Sequence, residues 1–205
     1  MIAGVNGAGK STVIGATIRE AGGAYFNPDE ETSALLEDQP TLTLAEANTL
    51  AWQLGRRGLE RAIQNDADFT FETTLGGLTI TRLLQHALDK GLEVRMRYVG
   101  LDSPERHIAR VAARVERGGH HIDEARIRQR YTASREHLIL LLPRLTDLIV
   151  YDNSVEKNPE ESEAPKPTIL LQLEKGRIQF VQPVGKIPAW ARPIVAAAIE
   201  YDRDA

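Results

Sequence analysis

Apolar positions in this chain change period repeatedly, from short continuous or alternating runs to helical spacing and back. Met1-Ile2-Ala3 reads as the end of a first strand, and Ser11 to Glu20 as a helix stopped by Gly22-Gly23. Ala24-Tyr25-Phe26 is a brief apolar strand that runs into Asn27-Pro28-Asp29. Leu44, Ala47, Ala51, Leu54 and Leu59 give helical spacing across a long helix, Leu42 to Gln64. Asp68-Phe69-Thr70-Phe71 alternates as a strand ending at Glu72-Thr73-Thr74, and Leu78 to Leu88 is helical. Val94 to Leu101 is the next strand. Ser103-Pro104 then opens a helix that closes at Gly118-Gly119, with serine at the cap and proline in the first turn. A further helix runs from about Asp123 to Leu142, and Leu148 to Tyr151 is a strand. Such alternation predicts an α/β fold: a three-layer α/β/α core over residues 1–155 with a five-stranded parallel sheet covered on both faces. Residues 156–167 are acidic, proline-bearing and poor in apolar side chains, the composition of a linker. Ile169 to Val181 predicts a hairpin turning at Lys175-Gly176, and Ile187 to Tyr201 a terminal helix, both packed on the core.

Composition narrows the setting. The chain has 205 residues, 42% of them apolar, enough for a substantial single core. Its net charge of −4 supplies no general field for nucleic acid or an anionic membrane, so neither is an expected partner. Cysteine is absent, and no apolar run approaches the roughly 20 residues of a membrane span. A cytoplasmic location is expected.

The chemistry begins between the first strand and the first helix. Gly4, Gly7, Gly9, Lys10 and Ser11 fill the pattern G-x-x-x-x-G-K-[ST], with Asn6, Ala8 and Thr12 in the same stretch. Glycines let backbone N–H groups turn inward on phosphate, Lys10 is placed for the β- and γ-phosphates, and Ser11 for Mg²⁺. The expected cofactors are therefore ATP, with GTP the second choice, and Mg²⁺. What happens to the γ-phosphate depends on the remainder of the chain. A hydrolytic switch needs an apolar strand ending in a Mg²⁺-organising acid. Tyr98 to Asp102 is the candidate, but Arg95 and Arg97 interrupt it and no glutamate stands beside Asp102. Transfer needs an acceptor-side carboxylate, groups to hold the acceptor and a cationic lid. Asp29 follows the second strand at the edge where open α/β sheets place ligands, although Asn27 to Glu31 is also good helix-start chemistry. Glu72 and Thr74 end the third strand and suit a hydroxyl-rich acceptor, or simply a turn before Gly76-Gly77. Arg110, Arg114 and Arg117 share one helix face opposite Ile108, Val111, Ala112 and Val115, within a stretch from Arg106 to Arg135 dense in arginine. His120-His121 lacks the ligand spacing of a metal site.

Taken in order, these segments resemble the zeta-toxin family of P-loop kinases, in particular its short branch. The resemblance rests on the phosphate loop, Asn27-Pro28-Asp29-Glu30, Phe71-Glu72-Thr73-Thr74-Leu75, Arg114 leading to Gly118-Gly119-His120, Ile127 to Tyr131, and Val150-Tyr151-Asp152-Asn153-Ser154, over about residues 1–155. It implies transfer of the ATP γ-phosphate to a hydroxyl of a nucleotide sugar, UDP-N-acetylglucosamine foremost, with another small hydroxylated metabolite or nucleotide, or an ATPase without acceptor, as alternatives. A restraining antitoxin is the implied protein partner. By resemblance Asp29 is the base, Lys10 and Ser11 hold ATP and Mg²⁺, and Glu72, Thr73, Thr74 and His120 face the acceptor. Arg114 and Arg130 join Asp29 and Lys10 as catalytic groups in a lid of about 114–130. Two positions depart from the family. Gly76 stands where the toxins carry an arginine, and the second lid arginine falls near His120, so that Arg128 or Arg130 must supply that charge.

Overall fold

The computed structural model describes residues 1–155 and 166–204. Four parallel strands form the core of the sheet: β1 (Ile2–Ala3), β2 (Glu72–Thr73), β3 (Arg95–Gly100) and β4 (Asp147–Asp152). β1 lies between β2 and β3, pairing Ile2 with Glu72 on one side and with Arg97 on the other. The predicted second strand shrinks to a single parallel bridge, Phe26 to Phe71, in which Phe26 N–H donates to Thr70 O and Glu72 N–H to Phe26 O. Its three residues run directly into the turn before the next helix, which leaves no room for a longer ladder.

The sheet does not stop at the parallel strands. The predicted hairpin, β5 (Thr168–Glu174) and β6 (Arg177–Val181), adds antiparallel to β4 and makes one six-stranded mixed sheet in the order β2-β1-β3-β4-β5-β6. Most of the predicted linker, residues 156–165, lies outside the described residues.

The helices are α1 (Ala16–Glu20), preceded by a π-turn over Ser11–Gly15, α2 (Pro28–Asp38), α3 (Leu44–Asn65), α4 (Leu78–Asp89), α5 (Pro104–Val115), α6 (Glu124–Leu141) and α7 (Arg192–Asp204). Met96 and Tyr98 of β3 and Leu148 and Val150 of β4 alternate onto one face, where they share a core with Leu84 of α4, Leu138 and Leu141 of α6 and Ile194 of α7. Tyr98 is fully buried, its hydroxyl paired with Ser134 Oγ at 3.0 Å, and burial pushes its phenol up to about 12. On the other face, the helix leaving the phosphate loop and the strands line a groove of about 620 Å³, with Val13, Ile14 and Ile18 opposite Arg95, Arg97 and Tyr151.

A second, smaller core matters more for the site. Val5 of the loop, Val111 of α5 and Ile127 of α6 pack together, flanked by Ile108, Val115 and Ile122. The apolar stripe opposite the arginines thus clamps α5 and α6 over the phosphate loop and turns the arginine face toward the strand ends.

Candidate active site

The loop between β1 and the first helix is held from three sides. Gly7 and Gly9 adopt φ of 80° and 88°, which only glycine takes without strain. A Cβ would fall 2.8 Å from His107 O at Gly7 and 2.5 Å from Asn153 Nδ2 at Gly9, so the bracing groups come in as close as the missing side chains allow. Asn153 Nδ2 donates to Ala8 O at 2.9 Å, and Arg110 donates to Asn153 O at 2.9 Å. Arg130 reaches in from α6 and donates to Asn6 Oδ1 at 2.8 Å.

His107, on α5, sits 2.8 Å from Asn6 O through Nδ1. A carbonyl only accepts, so Nδ1 carries the proton. Burial pushes the imidazole from 6.5 down to about 4, and the nearby Lys10 and Arg110 add to that, so the ring is neutral. This has a stability consequence. The unfolded chain takes up a proton before the folded one does, so the contribution is complete above pH 6.5 and is lost as pH falls toward 4. Between about pH 7 and about pH 4.5, denaturant titration is expected to show wild type losing about 2.5 kcal/mol more than His107→Gln loses. Parallel pH profiles of the two proteins would remove His107 as the titrating group.

Beside the loop lies a cleft of about 460 Å³, lined by Asn6, Gly7 and Gly9 to Thr12 of the loop, by Asn27, Pro28 and Asp29, by Glu72, Thr73 and Thr74, and by Arg110, Arg114, Arg117 and Asn153. Lys10, Arg110, Arg114 and Arg117 outnumber Asp29 and Glu72 there, giving a locally positive site in an acidic chain. Lys10 is buried, with Nζ 3.4 Å from both Val5 O and Glu72 Oε1. Ser11 Oγ donates to Glu72 Oε2 at 2.8 Å.

Helix-start chemistry at Asn27 to Glu31 and an active carboxylate prove compatible. Asn27 is the cap of α2, its side chain accepting from Asp29 N–H at 3.1 Å. Asp29 is thereby released from capping, and its carboxylate faces the cleft, where Arg114 Nη1 donates to Oδ2 at 2.8 Å. Both partners are more than a third exposed, so the pair adds at most about 1 kcal/mol to stability. Arg114 Nε is buried with no hydrogen-bond partner among the described residues. Thr73 Oγ1 and Thr74 Oγ1 accept from the N–H groups of Leu75 and Gly76, which leaves each hydroxyl proton free to donate. Leu75 itself holds φ 51°, a strained conformation at the strand tip.

The two lid candidates separate. Arg128 points outward to Glu105, whereas Arg130 points into the loop. A Cβ at Gly76 would lie 2.6 Å from Arg130 Cγ, so the glycine opens the space through which Arg130 reaches Asn6. His120 is not among the residues lining the cleft, and Asp102 is not either: it pairs with Arg106 at 2.8 Å in front of the Ser103 cap of α5. Sequence reasoning passed over His107 and gave Asn153 and Arg110 no individual role. Asn153 was visible only as part of the segment after the last parallel strand, and Arg110 only as one of three arginines on a face.

The residues suit a nucleoside triphosphate with Mg²⁺. The glycine positions leave a backbone cradle that a Cβ would fill, Lys10 is a buried cation beside it, and Ser11 and Glu72 present hard oxygen donors side by side. The described residues hold no group of three or more His, Cys, Asp or Glu that would form a metal site by itself, and Mg²⁺ at phosphate needs none. None of the helices described is long and apolar enough to cross a membrane.

With the Phe26 bridge counted beside β2, the parallel part runs Phe26-β2-β1-β3-β4 with the phosphate loop after the central strand, the layout of a P-loop kinase. Residues 1–156 match the zeta toxin family model, and the chain belongs to that family. An uncharacterised protein of Haemophilus influenzae is 31% identical over 133 residues, spanning 62% of this chain and 88% of its own. Among solved structures, AvrRxo1-ORF1:ORF2 with ATP superposes with TM-score 0.64 at 15% identity, over 96% of this chain and 62% of that one. This chain therefore spans less than two thirds of that protein. The PezAT chromosomal toxin–antitoxin system of Streptococcus pneumoniae superposes with TM-score 0.54 at 14% identity, over 99% of this chain and 84% of that one. Both likenesses concern the fold.

Proposed function

We propose that the protein is an ATP-dependent phosphotransferase that moves the γ-phosphate to an alcohol group of a small nucleotide sugar, UDP-N-acetylglucosamine being the first candidate. The observation that carries this reading is the placement of Asp29: a carboxylate freed from capping by Asn27, in the same cleft as Lys10 and facing an arginine. Membership of the zeta toxin family, and a similar fold crystallised with ATP, support the nucleotide half.

In this reading the loop amides and Lys10 bind the phosphates, and Ser11 would hold Mg²⁺, which would supply charge neutralisation at the transferring phosphate. Asp29 takes the proton of the acceptor hydroxyl. The acceptor oxygen forms its bond to the γ-phosphorus as the bridging bond to the β-phosphate oxygen breaks, and ADP leaves. Arg114 and Arg117, which line the cleft, face the transferring group, while Arg130 holds the loop through Asn6. Thr73 and Thr74 offer donors to acceptor hydroxyls. Arg114 and Arg130 bound the α5–α6 segment that acts as the lid. Covering of the cleft by an antitoxin would fit the toxin–antitoxin setting of a structural neighbour.

γ-Labelled ATP, Mg²⁺ and a panel of nucleotide sugars, free sugars and nucleotides test the assignment. Label is expected on a nucleotide sugar; label only in free phosphate across the whole panel would leave the regulatory-ATPase alternative standing instead.

A further inference from the structure

Glu72 was placed with the acceptor by resemblance, but its carboxylate faces the nucleotide side. We infer that Glu72 is the carboxylate of the Mg²⁺ site, acting with Ser11, and not an acceptor contact; this rests on the phosphotransfer reading above.

Among the described residues β2 and β3 flank β1, while the end of β4 meets the loop through the amide of Asn153 and the Phe26 segment brings Asp29, which is paired with Arg114. The tip of β3 leads to Asp102, which is turned away to Arg106 and Ser103. The tip of β2 is Glu72, paired in register with Ile2, two residues before the loop begins. The carboxylate that a P-loop protein places on a strand next to the loop, sought in the sequence at Asp102, is therefore supplied from the other neighbour.

Geometry agrees. Both oxygens of Glu72 engage phosphate-loop donors, Oε2 with Ser11 Oγ at 2.8 Å and Oε1 with Lys10 Nζ at 3.4 Å, and the side chain is 11% exposed. The acceptor-side groups have separate arrangements: Asp29 with Arg114, and the two threonine hydroxyls with the turn after β2. Mg²⁺ at a nucleotide takes one or two protein oxygens and fills its octahedron with phosphate and water, so a serine hydroxyl beside a carboxylate is a sufficient protein contribution. Lys10 is 6% exposed, and a buried ammonium needs a counter-charge until phosphate arrives. Glu72 provides it at 3.4 Å, and Lys10 would turn to the phosphates if a bound Mg²⁺ were to engage that carboxylate.

The two roles differ in how they couple nucleotide to metal. In Glu72→Gln, ADP binding without Mg²⁺ is expected to tighten a few-fold, because a negative charge beside the phosphates is gone. With Mg²⁺ it is expected to weaken, so the factor by which Mg²⁺ enhances affinity falls at least about tenfold. Calorimetric titration of ADP with and without Mg²⁺, in the absence of any acceptor, reads both affinities, and Mn²⁺ electron paramagnetic resonance reads the metal directly. Thr74→Val serves as the acceptor-side comparison: an unchanged metal factor and a raised KM for the acceptor are expected. An unchanged metal factor in Glu72→Gln, with a raised acceptor KM like that of Thr74→Val, overturns the inference while leaving the kinase reading intact. Absence of any nucleotide binding by wild type overturns both. Thermal unfolding of each variant against wild type identifies misfolding; Glu72→Asp, which keeps the charge, is expected to recover part of the metal factor and removes the inference if it behaves no differently from Glu72→Gln.

Discussion

Asp29→Asn is expected to slow phosphotransfer by about 10²–10⁴-fold with ADP affinity unchanged within a factor of about two. The amide is nearly isosteric, so α2 should form as before: its cap is Asn27, and Asp29 contributes only a backbone N–H to that interaction. What the variant lacks is a group able to accept the acceptor's proton. It also loses the anionic partner of Arg114, which costs little because the pair is exposed. Stopped or quenched single-turnover kinetics with saturating Mg²⁺-ATP should place the loss in the chemical step and not in KM for ATP. Transfer at the wild-type rate would assign the proton to another acceptor, and a collapse of ADP binding would make Asp29 part of the nucleotide site.

Arg114→Ala is expected to cost about 10³-fold or more in rate, the lower end of what an arginine at a transferring phosphoryl group contributes. Two observations single it out among the arginines of α5 and α6. It lines the cleft, and its Nη1 is held 2.8 Å from Asp29 Oδ2 in the same cleft as Lys10. Arg117 also lines the cleft but lies past the end of α5, while Arg128 is tied outward to Glu105 and Arg130 to Asn6. Arg114→Lys should restore only part of the rate, since the ammonium lacks the planar fork that spans two phosphoryl oxygens. Equal losses in kcat and kcat/KM would mark an interaction made in the transition state; a loss confined to KM would make Arg114 a binding group only.

Much of this site was legible because its chemistry lies at strand ends, where composition changes abruptly. The phosphate loop, Asp29, and the Glu72-Thr73-Thr74 tip all sit within the predicted elements and meet in one cleft. Asn27 resolved a competition that one-dimensional reasoning left open, because it takes the capping and leaves the carboxylate of Asp29 in the cleft. Contacts made across long separations were not legible. His107 meets Asn6 and Arg130 meets Asn6 only after α5 and α6 fold back over the loop, and nothing local to either residue marks them. The role of Gly76 was hidden for the same reason: its missing side chain has meaning only beside Arg130. At the sheet's far edge, the hairpin was visible as a hairpin, but its pairing with β4 depends on register that alternation alone does not specify. The second strand was overestimated because apolar content at Ala24 to Phe26 reads the same whether one residue pairs or three.

In the proposed reaction the γ-phosphate goes to a hydroxyl of a second substrate and not to water. A single-turnover reaction in H₂¹⁸O with Mg²⁺-ATP and UDP-N-acetylglucosamine, followed by ³¹P NMR and mass spectrometry, separates the two fates. A new phosphomonoester on the nucleotide sugar, carrying no oxygen from solvent, is the predicted product. Inorganic phosphate bearing one solvent ¹⁸O, with the nucleotide sugar unchanged and no other acceptor able to divert it, would contradict the account.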